Sequence, residues 1–374
     1  MRLVLIGGRT ADHRRTGRPA RVFASITALL AGLVAVAGCT GGGGSSSAAA
    51  PPVKADITVA ETPGVGDAPL FMAFQQGMFR AAGVNVHIIN YTSTRTELRD
   101  LRAGRVDVAF GDYADMFYAQ AQALKQANGQ LAKSSLNLMV VADGYDAEQN
   151  TMEVLALPGS GVVTPKNLVG KSIGTAPAEV MPHSTSTSTS TSATAQSLPY
   201  SLETVATQSV LNNNNVNPAS ISWQALPSQS LIPDLASHHV SAILATEPTI
   251  FEAESELGAV PVLDSCTGAT ANLPLFGYFS LRSFADKNHA GLTDFRNVLI
   301  KAQAEADASS SLVRSTLEGS EGMSVQDASL LTIGQYPTTV NSIDLQRVIS
   351  LMFFFNAIPS VNDNQLQVQS MIFR

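Results

Sequence analysis

Apolar positions in this chain switch repeatedly between two periods. Asp56-Ile57-Thr58-Val59-Ala60 is a β-branched run that reads as a strand. From residue 70 to 82 the large apolar side chains Leu70, Phe71, Phe74, Met78 and Phe79 follow helical spacing, and Gly83 ends the run. Residues 84–89 alternate as a strand, 94–103 form a charged helix ended by Gly104, and 106–110 are again a strand. Asp112 opens a helix to about residue 125, and 136–141 is a further strand. The rhythm then returns, with strands at 151–157, 172–174, 221–225, 242–245 and 275–281. Helices at 165–169, 202–211, 232–237 and 249–257 separate them, and the remainder is mostly helical (292–317, 325–331, 343–355). Such alternation predicts an α/β fold of parallel sheets with right-handed crossovers.

Two stretches break the pattern. Residues 183–196 alternate Ser and Thr without a large apolar side chain and read as a solvated loop. Asn212 to Asn215 sit at a helix end, where Asn tolerates the left-handed turn.

The N-terminus has its own logic. A basic stretch ends at Arg21, and residues 22–37 are small or apolar. That run is too short for a comfortable membrane span and has the form of a signal-peptide core. It ends in Val36-Ala37-Gly38-Cys39, which resembles the bacterial lipobox, so residues 1–38 are expected to be a signal peptide and Cys39 the lipidated residue. The Gly-, Ser-, Ala- and Pro-rich residues 39–54 then form a flexible tether. An ordinary secretory cleavage site is the alternative. Arg14-Arg15 lacks the hydrophobic residue and Lys expected after a twin-arginine pair.

Charge follows the same division. Residues 1–38 hold six of the 23 basic and one of the 30 acidic residues, leaving 17 against 29 in the body. An acidic body with no run of Lys or Arg argues against nucleic acid as a partner. Cys266 is the one cysteine besides Cys39, so an internal disulfide is not expected.

Motifs now carry a resemblance. Gln76-Gly77-Met78-Phe79 with Gly83-Val84-Asn85-Val86, the run Leu101 to Ala109, Leu168-Val169-Gly170-Lys171-Ser172-Ile173-Gly174, and Ala245-Thr246-Glu247-Pro248 occur in order over about residues 56–300. This series resembles the sulfonate-, nitrate- and taurine-type solute-binding proteins of ABC importers, which are related to pyrimidine-precursor binders. The resemblance implies a two-lobe, type II periplasmic-binding-protein-like fold, each lobe a mostly parallel sheet flanked by helices. Lobe one would be 55–150 plus 249–374 and lobe two 151–248, with hinge crossings near 147–153 and near Pro248. It further implies a monomer outside the cytoplasm, held to the cell membrane through the lipid on Cys39. Its partners would be a small solute and an importer permease.

Ligands in open α/β sheets sit beyond the carboxyl ends of strands. Three strand-to-helix loops are therefore expected to face the cleft. The first supplies Thr62, Gly66 and Asp67, the second Asp112 and Tyr113, and the third Thr175. The Ser/Thr insertion intervenes at the third, which moves the matching contacts toward Ser197, Tyr200 and Ser201. Glu247 would favour a cationic or amine-bearing ligand, and Tyr278 and Phe276 would stand at the hinge side. Asp112 as a plain helix cap and Glu247 as a rim charge are the simpler alternatives.

An enzyme is not expected. Gly170-Lys171-Ser172 lacks the upstream glycine of a phosphate-binding loop, and the six histidines are scattered. No cofactor or metal site is expected. A non-transport sensor or surface interaction lipoprotein on the same fold is the second reading, motivated by the Ser/Thr loop.

Overall fold

A computed structural model describes residues 55–176, 201–320, 323–362 and 364–374. The signal, the lipobox with Cys39, the tether, Tyr200 and the 183–196 loop lie outside the described residues.

The chain first lays down β1 (Ala55–Glu61), α1 (Ala68–Gln75), α2 (Met78–Ala81), β2 (Val84–Asn90) and α3 (Thr94–Arg102). β3 (Val108–Asp112), α4 (Tyr113–Gln126) and β4 (Leu138–Asp146) follow. It then crosses to β5 (Met152–Ala156), β6 (Ser172–Thr175), α5 (Leu202–Asn213), β7 (Ser222–Ala225) and α6 (Leu231–Ala236). β8 (Ala242–Thr246), α7 (Thr249–Leu257) and β9 (Val260–Asp264) complete this passage. The return brings β10 (Pro274–Leu281), α8 (Arg282–Lys287), α9 (His289–Ala308), α10 (Ser310–Ser320), α11 (Val325–Leu330) and α12 (Ser342–Phe354).

Two five-stranded sheets result, in the orders β2-β1-β3-β10-β4 and β7-β6-β8-β5-β9. Both are mixed. β1 pairs in parallel with β2 and β3, whereas β10 is antiparallel to β3 and β4. In the second sheet β6 is parallel to β7 and β8, while β5 is antiparallel to β8 and β9. The opposed strand in each sheet is the one by which the chain enters from the other sheet. Entry from the far side reverses its direction, and this one opposed strand is what makes each sheet mostly rather than wholly parallel.

The return crossing also differs from expectation. β9 lies beyond Pro248 yet pairs with β5, so the chain goes back between Asp264 and Pro274. Pro261 hid this strand. Proline cannot donate to a ladder, but β9 is an edge strand and its register with β5 shifts beside Pro261, positions where a missing donor is tolerated. Helix α7 stays with the second sheet because Ile250 and Ala253 bury against Leu231, Leu235 and Ile243.

Two expected helices are each divided. Gly77 takes φ 71 between α1 and α2, a left-handed conformation that glycine adopts without steric cost. Ser309 is extended between α9 and α10. One apolar core packs α1, α2 and α9 on the first sheet through Phe79, Leu70, Leu292, Phe295 and Leu299. A second is continuous from α4 through the second sheet to α5 and α12. Helix α12 touches both α4 and α5, and so binds the C-terminal region to both sheets.

Candidate functional site

Strands β1, β3, β6 and β8 end at one place. Their carboxyl ends and the start of β10 enclose two adjoining cavities, of about 200 Å³ and about 240 Å³. Thr94, Asp112, Thr246 and Phe276 line both, so the two volumes are parts of one cleft. Asp112 comes from the first sheet, Thr175 and Thr246 from the second.

Each wall has a local cause. Asp112 is extended (φ -62, ψ 133), and its Oδ1 accepts the Asp115 N–H at 2.9 Å, which caps α4 and turns the carboxylate to the strand end. Ser201 caps α5 in the same way, its Oγ accepting from Thr204 N at 3.2 Å. Thr62 donates its hydroxyl proton to Glu97 Oε1 at 2.7 Å, which fixes the start of the β1–α1 loop. Gly66 lets that loop lie against the aromatic wall, since a Cβ there would stand 3.1 Å from Tyr145 Cβ and 3.2 Å from Phe110 Cζ. Thr175 is buried at the end of β6 and lines the smaller cavity.

Glu247 lines the larger cavity, with both oxygens engaged. Oε1 accepts the Thr332 N–H at 2.8 Å and Oε2 the Phe251 N–H at 3.1 Å. Burial raises its pKa, and these two N–H groups oppose the rise. Asp112 is raised well above the usual carboxylate range by burial, then by the charges of Glu203 and Asp115. Tyr145 accepts from Gly334 N at 2.7 Å, so the segment after α11 braces the aromatic wall as well.

Thr62, Gly66, Asp112, Thr175 and Glu247 therefore share the cleft, and three expected residues do not. Tyr113 is fully buried, its hydroxyl donating to Asp143 Oδ1 at 2.8 Å and its ring tilted on Phe117. Neighbouring side chains on a helix diverge by roughly 100°, so the residue after the cleft-facing Asp112 enters the core. Tyr278 lies two residues deeper in β10 than Phe276, with its ring centroid 4.8 Å from that of Phe110. Asp67 is fully buried, as Glu61 at the end of β1 is, and lines neither cavity.

Sequence reasoning passed over Thr94, Asp115, Glu203 and Thr246. Thr94 and Glu203 sit in the first turns of helices and Thr246 at a strand end, so the strand-end rule applied to every crossover finds them. Cys266 is buried, its thiol pushed up to about 12 by desolvation. No cluster of metal-ligating side chains occurs among the described residues, and no described helix is long and apolar enough to cross a membrane.

Two lobes with a cleft at opposed strand ends define the periplasmic-binding-protein fold. The chain belongs to the NMT1-like family, whose model matches residues 50–311. Among solved structures it is similar to the periplasmic aliphatic sulphonate binding protein SsuA from Escherichia coli. The TM-score is 0.64 at 14% identity, over 85% of this chain and 97% of that one. The alkanesulfonate-binding protein SsuA from Xanthomonas axonopodis pv. citri, bound to MOPS, gives 0.62 at 14% identity, over 86% and 99%. The periplasmic nitrate-binding protein NrtA from Synechocystis PCC 6803 gives 0.61 at 11% identity, over 86% and 87%. A search of curated proteins found no match.

Proposed function

We infer that this protein captures a small solute outside the cytoplasm and delivers it to the permease of an ABC importer, without catalysing a reaction. The observation that carries this reading is the cleft itself, built from strand ends of both sheets so that one ligand touches both lobes. Thr62, Gly66, Asp112, Thr175 and Glu247 form its wall, together with Thr94, Thr246 and Phe276. The similarity to solute-binding components of import systems supports the role, and the Val36-Ala37-Gly38-Cys39 motif supports a lipid anchor on Cys39. The chain acts as a monomer.

The test is a thermal-shift screen of the purified protein over sulfonates, nitrate, pyrimidines, amino acids and amines, after any co-purified ligand has been stripped. A specific solute at a hundred times its Kd stabilises the fold by about 2.7 kcal/mol. A single solute class that shifts the melt supports capture. If none does while the protein retains a membrane partner, the sensor or interaction-module reading replaces this one. Labelled fatty acid incorporated by the wild type and not by Cys39→Ser tests the anchor.

A further inference from the structure

A third hollow adjoins the cleft from outside. It holds about 500 Å³ and lies between α7 of the second lobe and the α10–α11 region of the first. Pro63, Gly64 and Val65 of the β1–α1 loop line both this hollow and the larger cleft cavity, and Pro248 does the same. The loop and Pro248 are thus the shared boundary of the two volumes. Gly64 is the gap in that boundary. Its backbone is extended (φ 175, ψ -179), and a Cβ added there would meet nothing within 4 Å. Neither a left-handed backbone nor crowding calls for glycine at this point, so what it leaves is free space where the hollows meet.

Apolar side chains continue across this boundary. Inside the cleft they are those of Phe276, Phe110 and Tyr145. Beyond Gly64 they are those of Val65, Phe251, Leu317 and Met323, with Val65 and Leu317 buried. Glu252, Ser255 and Ser324 are exposed at the rim of the outer hollow. An apolar floor under a polar rim suits a hydrocarbon chain, which gains by leaving water and asks for no hydrogen bond. Helix α7 packs on the second sheet and α10 on α1 and α9 of the first, so a chain lying here touches both lobes a second time.

We propose that the solute carries an apolar tail longer than the cleft, which passes Gly64 and lies in the outer hollow between α7 and α10. This rests on the cleft being the ligand site. The tail selects the solute by chain length, a property that the inner cavities alone do not read.

Two homologous series test it: alkylammonium salts and alkanesulfonates with butyl, hexyl, octyl and decyl chains, titrated calorimetrically below the concentrations at which they form micelles. Two head groups are used so that the charge the cleft accepts does not decide the result. In the series that binds, one-to-one affinity should rise by roughly 4-fold per methylene up to decyl. Ser255 is exposed on α7 and lines the outer hollow but neither cleft cavity. Ser255→Trp, melting as the wild type does, should leave the butyl Kd unchanged and weaken the decyl Kd by roughly 10- to 100-fold. Gly64→Leu, which fills the passage from the loop, should weaken decyl in the same way. Affinity that levels off at hexyl overturns the tail and leaves solute capture standing. A rise with length that both variants keep does the same. Several long chains bound per protein mark adsorption to the surface and also overturn it. If no member of either series binds, the tail falls, and the capture reading falls with it only if the thermal-shift screen is empty as well.

Discussion

Glu247 is where sequence and structure assign different work to one side chain, and Glu247→Ala separates them. The carboxylate accepts from Phe251 N at the start of α7 and from Thr332 N, 85 residues away in the segment that braces Tyr145. A hydrogen bond to a charged group contributes about 1.5–3 kcal/mol net, and the partial exposure of Glu247 puts these two at the lower end of that range. Truncation should therefore cost about 2–4 kcal/mol. For a chain of this size that is a fall in melting temperature of roughly 4–8 °C. Glu247→Gln keeps one acceptor oxygen and should lose about half as much. Urea denaturation of the empty protein, with calorimetric binding alongside, reads both consequences. Marked loss of stability with modest loss of affinity is the expected pattern. An unchanged melt with binding abolished would refute the bracing role and make Glu247 a ligand contact.

Three further outcomes follow from the buried groups. Tyr113→Phe removes the donor to Asp143 Oδ1, which keeps the Gly144 N–H at 3.1 Å; stability should drop by about 1–3 kcal/mol in chemical denaturation with solute affinity unchanged. Burial pushes Asp143 and Glu153 up to about 7, and burial with the charge of Asp143 pushes Asp146 up to about 8. The folded state thus holds protons that the unfolded chain releases near the ordinary values of 3.8 and 4.5, and stability is full below these and falls as pH rises through 7 and 8. Melts between pH 4 and 8.5 that climb steadily contradict this. The buried Cys266 thiol, pushed up to about 12, should stay unmodified by iodoacetamide at pH 7.5 until denaturant is added, as peptide mass spectrometry would show.

Much of the fold was legible because its determinants are local. The β-branched runs and helix-period stretches fixed most elements to within a few residues, and Thr249–Leu257 to the residue. β9 was not, because Pro261 reads as a breaker unless the strand is known to be an edge. The direction of β5 and β10 depends on which sheet the chain comes from, information held in the order of two sheets and not in any one strand.

The site divides along the same line. Asp112 was found because capping α4 and facing the cleft are the same geometry, visible as an acid between a strand and a helix. Tyr113 was misplaced by one helical step. Glu203 became a site residue only when the second lobe brought α5 opposite β3, and the Thr332 partner of Glu247 comes from a loop with no pattern of its own. The charge of the cleft, unlike the net charge of the chain, is a property of that juxtaposition.

The most direct test of the central claim fills the cleft. Thr246 is half-buried and lines both cavities, so Thr246→Trp should occupy the space in which the solute sits. Calorimetric titration of the wild type and this variant, with the solute that shifts the wild-type melt, is the measurement. The account predicts binding by the wild type and none by a Thr246→Trp protein that still melts cooperatively. Undiminished binding by that folded variant would place the solute elsewhere and contradict capture between the lobes.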